Sequence, residues 1–253
     1  MIRLVRGEFR KLFTTKLWLW MLLGGIAMTA MFLGFTIAFD GAEGNPQPPL
    51  STPEGQRNLF GSVSGAGVLA LILGIIAVTG EFRHQTVTPT FLATPHRGRV
   101  VIGKLITYAL AGIGYGAVVL AFAIGFAFVF TSARGIDLSL SADGVPEALA
   151  GVVAGIAVYT VLGVGVGALV RNQIAAIVGA LVYLFVIEAF VAALPTIRDY
   201  YQYFPGGANA ALTGTSQPGV ELLSPWQGGL LLLAYGVVFA TAGTRLAVRR
   251  DVS

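Results

Sequence analysis

An all-α integral membrane protein with six spanning helices is the fold class this sequence predicts, on three observations. Charged residues make up 11% of the 253 positions and hydrophobic ones 55%, whereas a soluble domain carries about 25% charged residues. The apolar residues gather into six continuous runs, each near the ~20 residues a helix needs to cross a bilayer. The Lys and Arg residues crowd onto one side of those runs. The mean hydropathy of +0.79 fits no ordinary soluble enzyme and no disordered chain.

Residues 2–16 come first and read as an N-terminal interfacial helix. Ile2, Val5, Phe9, Leu12 and Phe13 recur at three- and four-residue spacing, with Arg3, Arg6 and Arg10 mostly opposite. The expected spans are 17–39, 62–80, 105–130, 148–170, 174–194 and 226–248. The first is too long for a signal-peptide core and leaves through Thr36-Ile37-Ala38-Phe39-Asp40, a poor cleavage site. Asp40–Gly61 is rich in Gly and Pro without apolar periodicity, and is expected to be irregular. Segment 81–99 mixes Phe82, Val87, Phe91 and Leu92 with charge, as a helix lying between membrane and soluble partner would. Spans four and five are joined by Arg171-Asn172-Gln173 alone, which makes them antiparallel neighbours. Segment 195–225 carries Tyr200, Tyr201, Tyr203 and Phe204, then Pro205-Gly206-Gly207 and a small-residue stretch suited to a short helix dipping back toward the membrane.

Charge sets the expected orientation. Thirteen basic residues fall on one side: Arg3, Arg6, Arg10, Lys11, Lys16, Arg83, Arg97, Arg99, Lys104, Arg171, Arg245, Arg249 and Arg250. The other side has three, Arg57, Arg134 and Arg198. The basic side is expected to be cytoplasmic, with both termini there. The net charge of +4 then marks topology, and a nucleic-acid partner is not expected. Glycine pairs at GxxxG spacing, Gly112/Gly116, Gly151/Gly155 and Gly163/Gly167, read as close helix packing within the chain.

Little in the sequence supports an enzyme. Cysteine is absent, and the two histidines, His84 and His96, lie outside every span, which excludes thiolate, iron–sulfur and intramembrane metalloprotease chemistry. Gly98-Arg99-Val100-Val101-Ile102-Gly103-Lys104 spells the start of a phosphate-binding loop. Leu105 stands where Ser or Thr would hold magnesium, and a spanning helix follows at once. No segment between spans reaches the ~40 residues below which a domain rarely folds unaided. Glu188 is the one carboxylate at membrane depth, displaced outward from its span's centre. It is a candidate for the substrate pathway, a packing group bonded to a tyrosine such as Tyr183 or Tyr159, or a group reaching the outer interface.

Three motifs, in order and spacing, resemble the membrane-spanning permease subunit of ATP-binding-cassette exporters, the type-2 permease family. They are Glu8-Phe9-Arg10-Lys11-Leu12; Glu81-Phe82-Arg83-His84-Gln85-Thr86, followed by Pro95, Arg97, Arg99 and Lys104; and Tyr203-Phe204-Pro205-Gly206-Gly207-Ala208. The resemblance covers essentially the whole chain. It implies a cytoplasmic coupling helix between spans two and three, divided by Pro89, with Glu81, Phe82, Arg83, His84 and Thr86 as ATPase contacts. It also implies separate ATPase subunits holding ATP and Mg, a second copy or paralogous permease subunit, and an outer gate over 195–225. The expected function is export of an amphiphilic substrate (drug, peptide or lipid-like) across a bacterial-type cell membrane, with no cofactor in this chain. The alternatives are a non-transporting anchor for a cytosolic partner and an ion-coupled carrier using Glu188.

Overall fold

The computed structural model describes residues 1–85, 97–217 and 219–249. Among these the chain is helical and contains no strand. Helix α1 (Ile2–Thr14) precedes α2 (Leu17–Ala38). Helix α3 (Pro53–Gly61) runs through a 3-10 stretch, Ser62–Ala66, into α4 (Gly67–Arg83). Long helices α5 (Arg97–Ser132) and α6 (Val145–Val170) follow. Then come α7 (Gln173–Val182), a π-helical turn (Tyr183–Ile187), α8 (Glu188–Ala193), a 3-10 turn (Arg198–Tyr203), α9 (Pro205–Thr213) and α10 (Pro225–Arg249). Six helical stretches are long and apolar enough to cross a membrane: Leu17–Ala38, Pro53–Arg83, Gly98–Ser132, Val145–Val170, Gln173–Ala193 and Pro225–Gly243.

Six helices of spanning length are therefore present as expected, and one expectation is corrected. Asp40–Gly61 is not irregular throughout, because Pro53–Gly61 is helical. Its Gly and Pro content points to irregular backbone, yet Pro53 sits in the first turn, where a missing N–H costs nothing. Thr52 caps the helix by accepting the Gly55 N–H, and Glu54 adds an acid to the first turn. Consecutive polar residues of α3 then tie distant segments together. Gln56 donates to the carbonyl of Asp137 and accepts the amide of Ser139. Arg57 donates to the carbonyl of Gly214, and Asn58 exchanges bonds with Ser216. Thus α3 fastens the α5–α6 and α9–α10 connections at one end of the bundle.

Helix α6 is the hub. It packs on α4, α5, α9 and α10, most extensively on α4. The α4–α6 contact is backbone against backbone. A Cβ built on Gly163 would lie 2.0 Å from the carbonyl oxygen of Leu71, and one on Gly74 would lie 2.2 Å from that of Thr160. Gly112 of α5 faces Ala157 and Thr160, while Gly151 and Gly155 face Leu212 and Asn209 of the α9 segment. All three GxxxG pairs are spent on packing inside this chain. In lipid no hydrophobic force draws apolar helices together, so close approach of this kind supplies the attraction.

Gly163→Ala is accordingly expected to lower the melting temperature of the detergent-purified protein, at a cost of about 1–3 kcal/mol from overpacking. Gly114→Ala is the comparison, since its new methyl meets open space and alanine outranks glycine in a helix by up to about 1 kcal/mol. Equal melting temperatures for the two variants would contradict the α4–α6 contact.

Candidate functional site

Four charged side chains meet where α1 crosses the end of α4 and the start of α5. The Lys104 Nζ donates to Glu8 Oε2 at 2.5 Å, to Glu81 Oε1 at 2.8 Å and to the Ala77 carbonyl at 3.2 Å. Lys11 Nζ closes the group, donating to Glu8 Oε1 at 2.7 Å and Glu81 Oε1 at 2.8 Å. The Lys104 and Glu8 side chains are each only 6% exposed. Lys11 is half-exposed at the edge of a cavity of about 580 Å³ that Leu12, Leu73, Tyr108 and Gln173 also line.

Local folding explains the convergence. Helix α1 carries Val5, Glu8, Phe9 and Leu12 on its inward face, with Leu12 packed among Leu73, Val78, Tyr108 and Val164. Exposed Ile2 and Phe13 lie off that face. A glutamate on the apolar face of an amphipathic helix has to be paired, and Lys104 reaches it from about two turns inside α5. Each of Lys104's three donors has an acceptor, so this charge is fully satisfied. The Gly98–Lys104 stretch that resembled a phosphate loop is the opening of α5, and its lysine is committed to two carboxylates.

Titration of the group follows from this geometry. Burial alone would raise the Glu8 carboxyl, but Lys104, with Lys11 adding, holds it below the ordinary 4.5. Burial would lower the Lys11 ammonium, and the bonds to Glu8 and Glu81 hold it above the ordinary 10.5. A depressed glutamate contributes stability that is complete above pH 4.5 and is lost as pH falls through its lowered folded value. The raised lysine contributes stability below pH 10.5 that is lost as pH rises further.

The residues expected as ATPase contacts divide into three groups. Glu81 belongs to the buried charge group, and Phe82 lies under the Arg171 guanidinium, 5.3 Å from ring centroid to Cζ. Arg83 and His84 end α4 with exposed side chains. Thr86, and with it the body of the expected coupling helix, lies outside the described residues. Sequence reasoning overlooked Glu8 and Lys104 as a pair. The available signal was a lone acid on α1's apolar face and a lone base at the threshold of an apolar run.

Glu188 sits at the other end of the bundle. The π-helical turn before it leaves Phe185, Val186 and Ile187 exposed, while Glu188 itself is 3% exposed. Its Oε2 accepts the Gly206 N–H at 2.8 Å, at the first turn of α9. Oε1 is buried without a hydrogen-bond partner. The expected alternatives of a tyrosine bond or escape to the interface are therefore replaced by a bond to the α9 backbone. Gly206 is required there, because a Cβ would fall 2.0 Å from Glu188 Oε2.

No protein-family model matches the chain, and no curated protein matches it.

Lys104→Met is expected to cost about 3–5 kcal/mol in unfolding of the purified protein, since it removes the buried cation and leaves two carboxylates sharing only the half-exposed Lys11. Arg3→Met, an exposed position, is expected to change stability by less than about 0.5 kcal/mol. In a pH series the wild type should lose thermal stability below pH 4.5 more steeply than Glu8→Gln does. A wild-type curve that stays flat below that pH would contradict the paired state of Glu8.

Proposed function

We propose that this chain is the permease subunit of an ATP-driven exporter of the ATP-binding-cassette type, passing an amphiphilic substrate outward while separate ATPase subunits hydrolyse Mg-ATP. One observation carries the reading. Glu8, Lys11, Glu81 and Lys104 lock α1 to the ends of α4 and α5, where α4 ends with the side chains of Arg83 and His84 exposed. A push there is delivered to three helices at once. A plain topogenic loop would need only solvated charge, and burying a four-member ion group is costly unless the geometry is used.

On this reading the basic end is cytoplasmic, both termini are inside a bacterial-type cell membrane, and α1 lies at the inner interface. The substrate path forms between this chain and a second copy or paralogous subunit. The 195–225 segment is the outer gate, and Glu188 lies beside it. An ion-coupled carrier would keep its carboxylate open to the path. Here one oxygen of Glu188 is held by the α9 backbone, which favours the exporter.

The test uses the tagged full-length chain purified with whatever associates with it from its own cell. Arg83→Glu should leave membrane insertion unchanged and lower the co-purifying ATPase activity by about tenfold, the effect of losing some 1.4 kcal/mol of contact energy. Glu43→Arg, an exposed reversal at the other end, should leave it unchanged. Wild-type ATPase recovery with Arg83→Glu would remove the coupling assignment and favour the anchor.

A further inference from the structure

Glu188 and α9 form an arrangement that packing alone does not explain. One carboxyl oxygen is bonded to Gly206 N, and the other is buried with no donor. The titratable groups its charge reaches are the phenols of Tyr159 on α6, Tyr183 on the π-helical turn, Tyr201 on the 3-10 turn and Tyr235 on α10. Burial, with the nearby carboxyl adding, pushes the Tyr201 hydroxyl up to about 12, so it stays a neutral phenol. Arg198, the nearest basic residue in sequence, turns toward Asp199 and Gly219, 3.9 Å from Asp199 Oδ1. Among the described residues, no cation acts on Glu188.

Two effects compete over the charge. The Gly206 N–H and the N-terminal end of α9 favour the carboxylate, but α9 is short and satisfies one oxygen only. The dry, unpartnered second oxygen and the absence of a cation favour the neutral acid. An unpaired buried charge outweighs a single helix terminus, so the docked arrangement binds a proton. When α9 leaves, the carboxyl meets water and burial no longer opposes its charge.

We propose that Glu188 is a proton-dependent latch, holding α9 through Gly206 as the neutral acid and releasing α9 from its seat on α6 and α10 when the proton is lost. The sign follows from linkage. Docking is favoured by acid and is lost as pH rises far enough to ionise the docked carboxyl. One proton allows the docked ratio to change by at most about tenfold per pH unit. The latch stands on the contacts of α9 and is independent of what the chain transports.

The test exploits the absence of native cysteine. A cysteine replacing Ala210, buried on α9, is labelled in the purified protein with a soluble thiol reagent. The rate is divided by that of a cysteine replacing Glu43, an exposed position, which cancels thiol ionisation. In the wild-type background the ratio should rise with pH across the neutral range. Glu188→Gln keeps an acceptor and cannot ionise, so its ratio should stay low and flat. Glu188→Asp is one methylene too short to reach Gly206, so its ratio should be high even in acid. Tyr201→Phe should keep the wild-type titration. A flat wild-type ratio, an unchanged titration in Glu188→Gln, or its loss in Tyr201→Phe would each overturn the latch.

Discussion

The backbone contact between α4 and α6 is the constraint on which both ends of this molecule depend. Gly74, Gly163 and Gly167 remove the side chains that would separate the two helices, and carbonyl oxygens of each lie where a Cβ of the other would be. Because the helices touch along this line, their ends are fixed side by side. At the basic end this sets Phe82 beneath Arg171 and holds Glu81 where α1 and α5 can reach it. Toward the other end α6 offers Gly151 and Gly155 as the floor on which α9 rests. Seating α9 there brings Gly206 to Glu188.

The two polar sites solve opposite problems. In the Glu8–Lys11–Glu81–Lys104 group, two acids and two bases balance, and Lys104 uses all three of its donors. Such a group gains little over an apolar replacement in stability, but losing one member is expensive. It is therefore a rigid joint, suited to holding geometry under load. Glu188 has one bond and one orphaned oxygen. On the latch proposal this makes it a movable contact where the first is a fixed one.

Much of the fold was legible in the sequence for physical reasons. Helices that face lipid must be apolar over their full length, so the six spans announce themselves by composition. Glycine pairs mark close approach, and here they mark it inside the chain. Helix α3 is hidden by the Gly and Pro content and absent apolar periodicity of its segment, although Thr52-Pro53-Glu54 is also a helix start. The buried charge group was missed because Glu8, Glu81 and Lys104 come from three elements far apart in sequence, and composition carries no information on which faces meet. Glu188 stood out as an acid at depth, but its partner is a backbone N–H, which no residue type advertises. The exposed residues at the end of α4, Arg83 and His84, were legible as charge near a span, not as the surface left over once Glu81 and Phe82 turn inward.

Those leftover side chains are the surface through which an exporter of this kind would receive force, and the direct test is to ask what touches them. A photo-crosslinking amino acid placed at His84 in the full-length chain, activated in intact cells and followed by mass spectrometry, reads out the neighbour. The account predicts a crosslink to a soluble protein with a complete nucleotide-binding ATPase domain, strengthened when ATP is present. A crosslink confined to lipid, or to a partner without a nucleotide site, would contradict it.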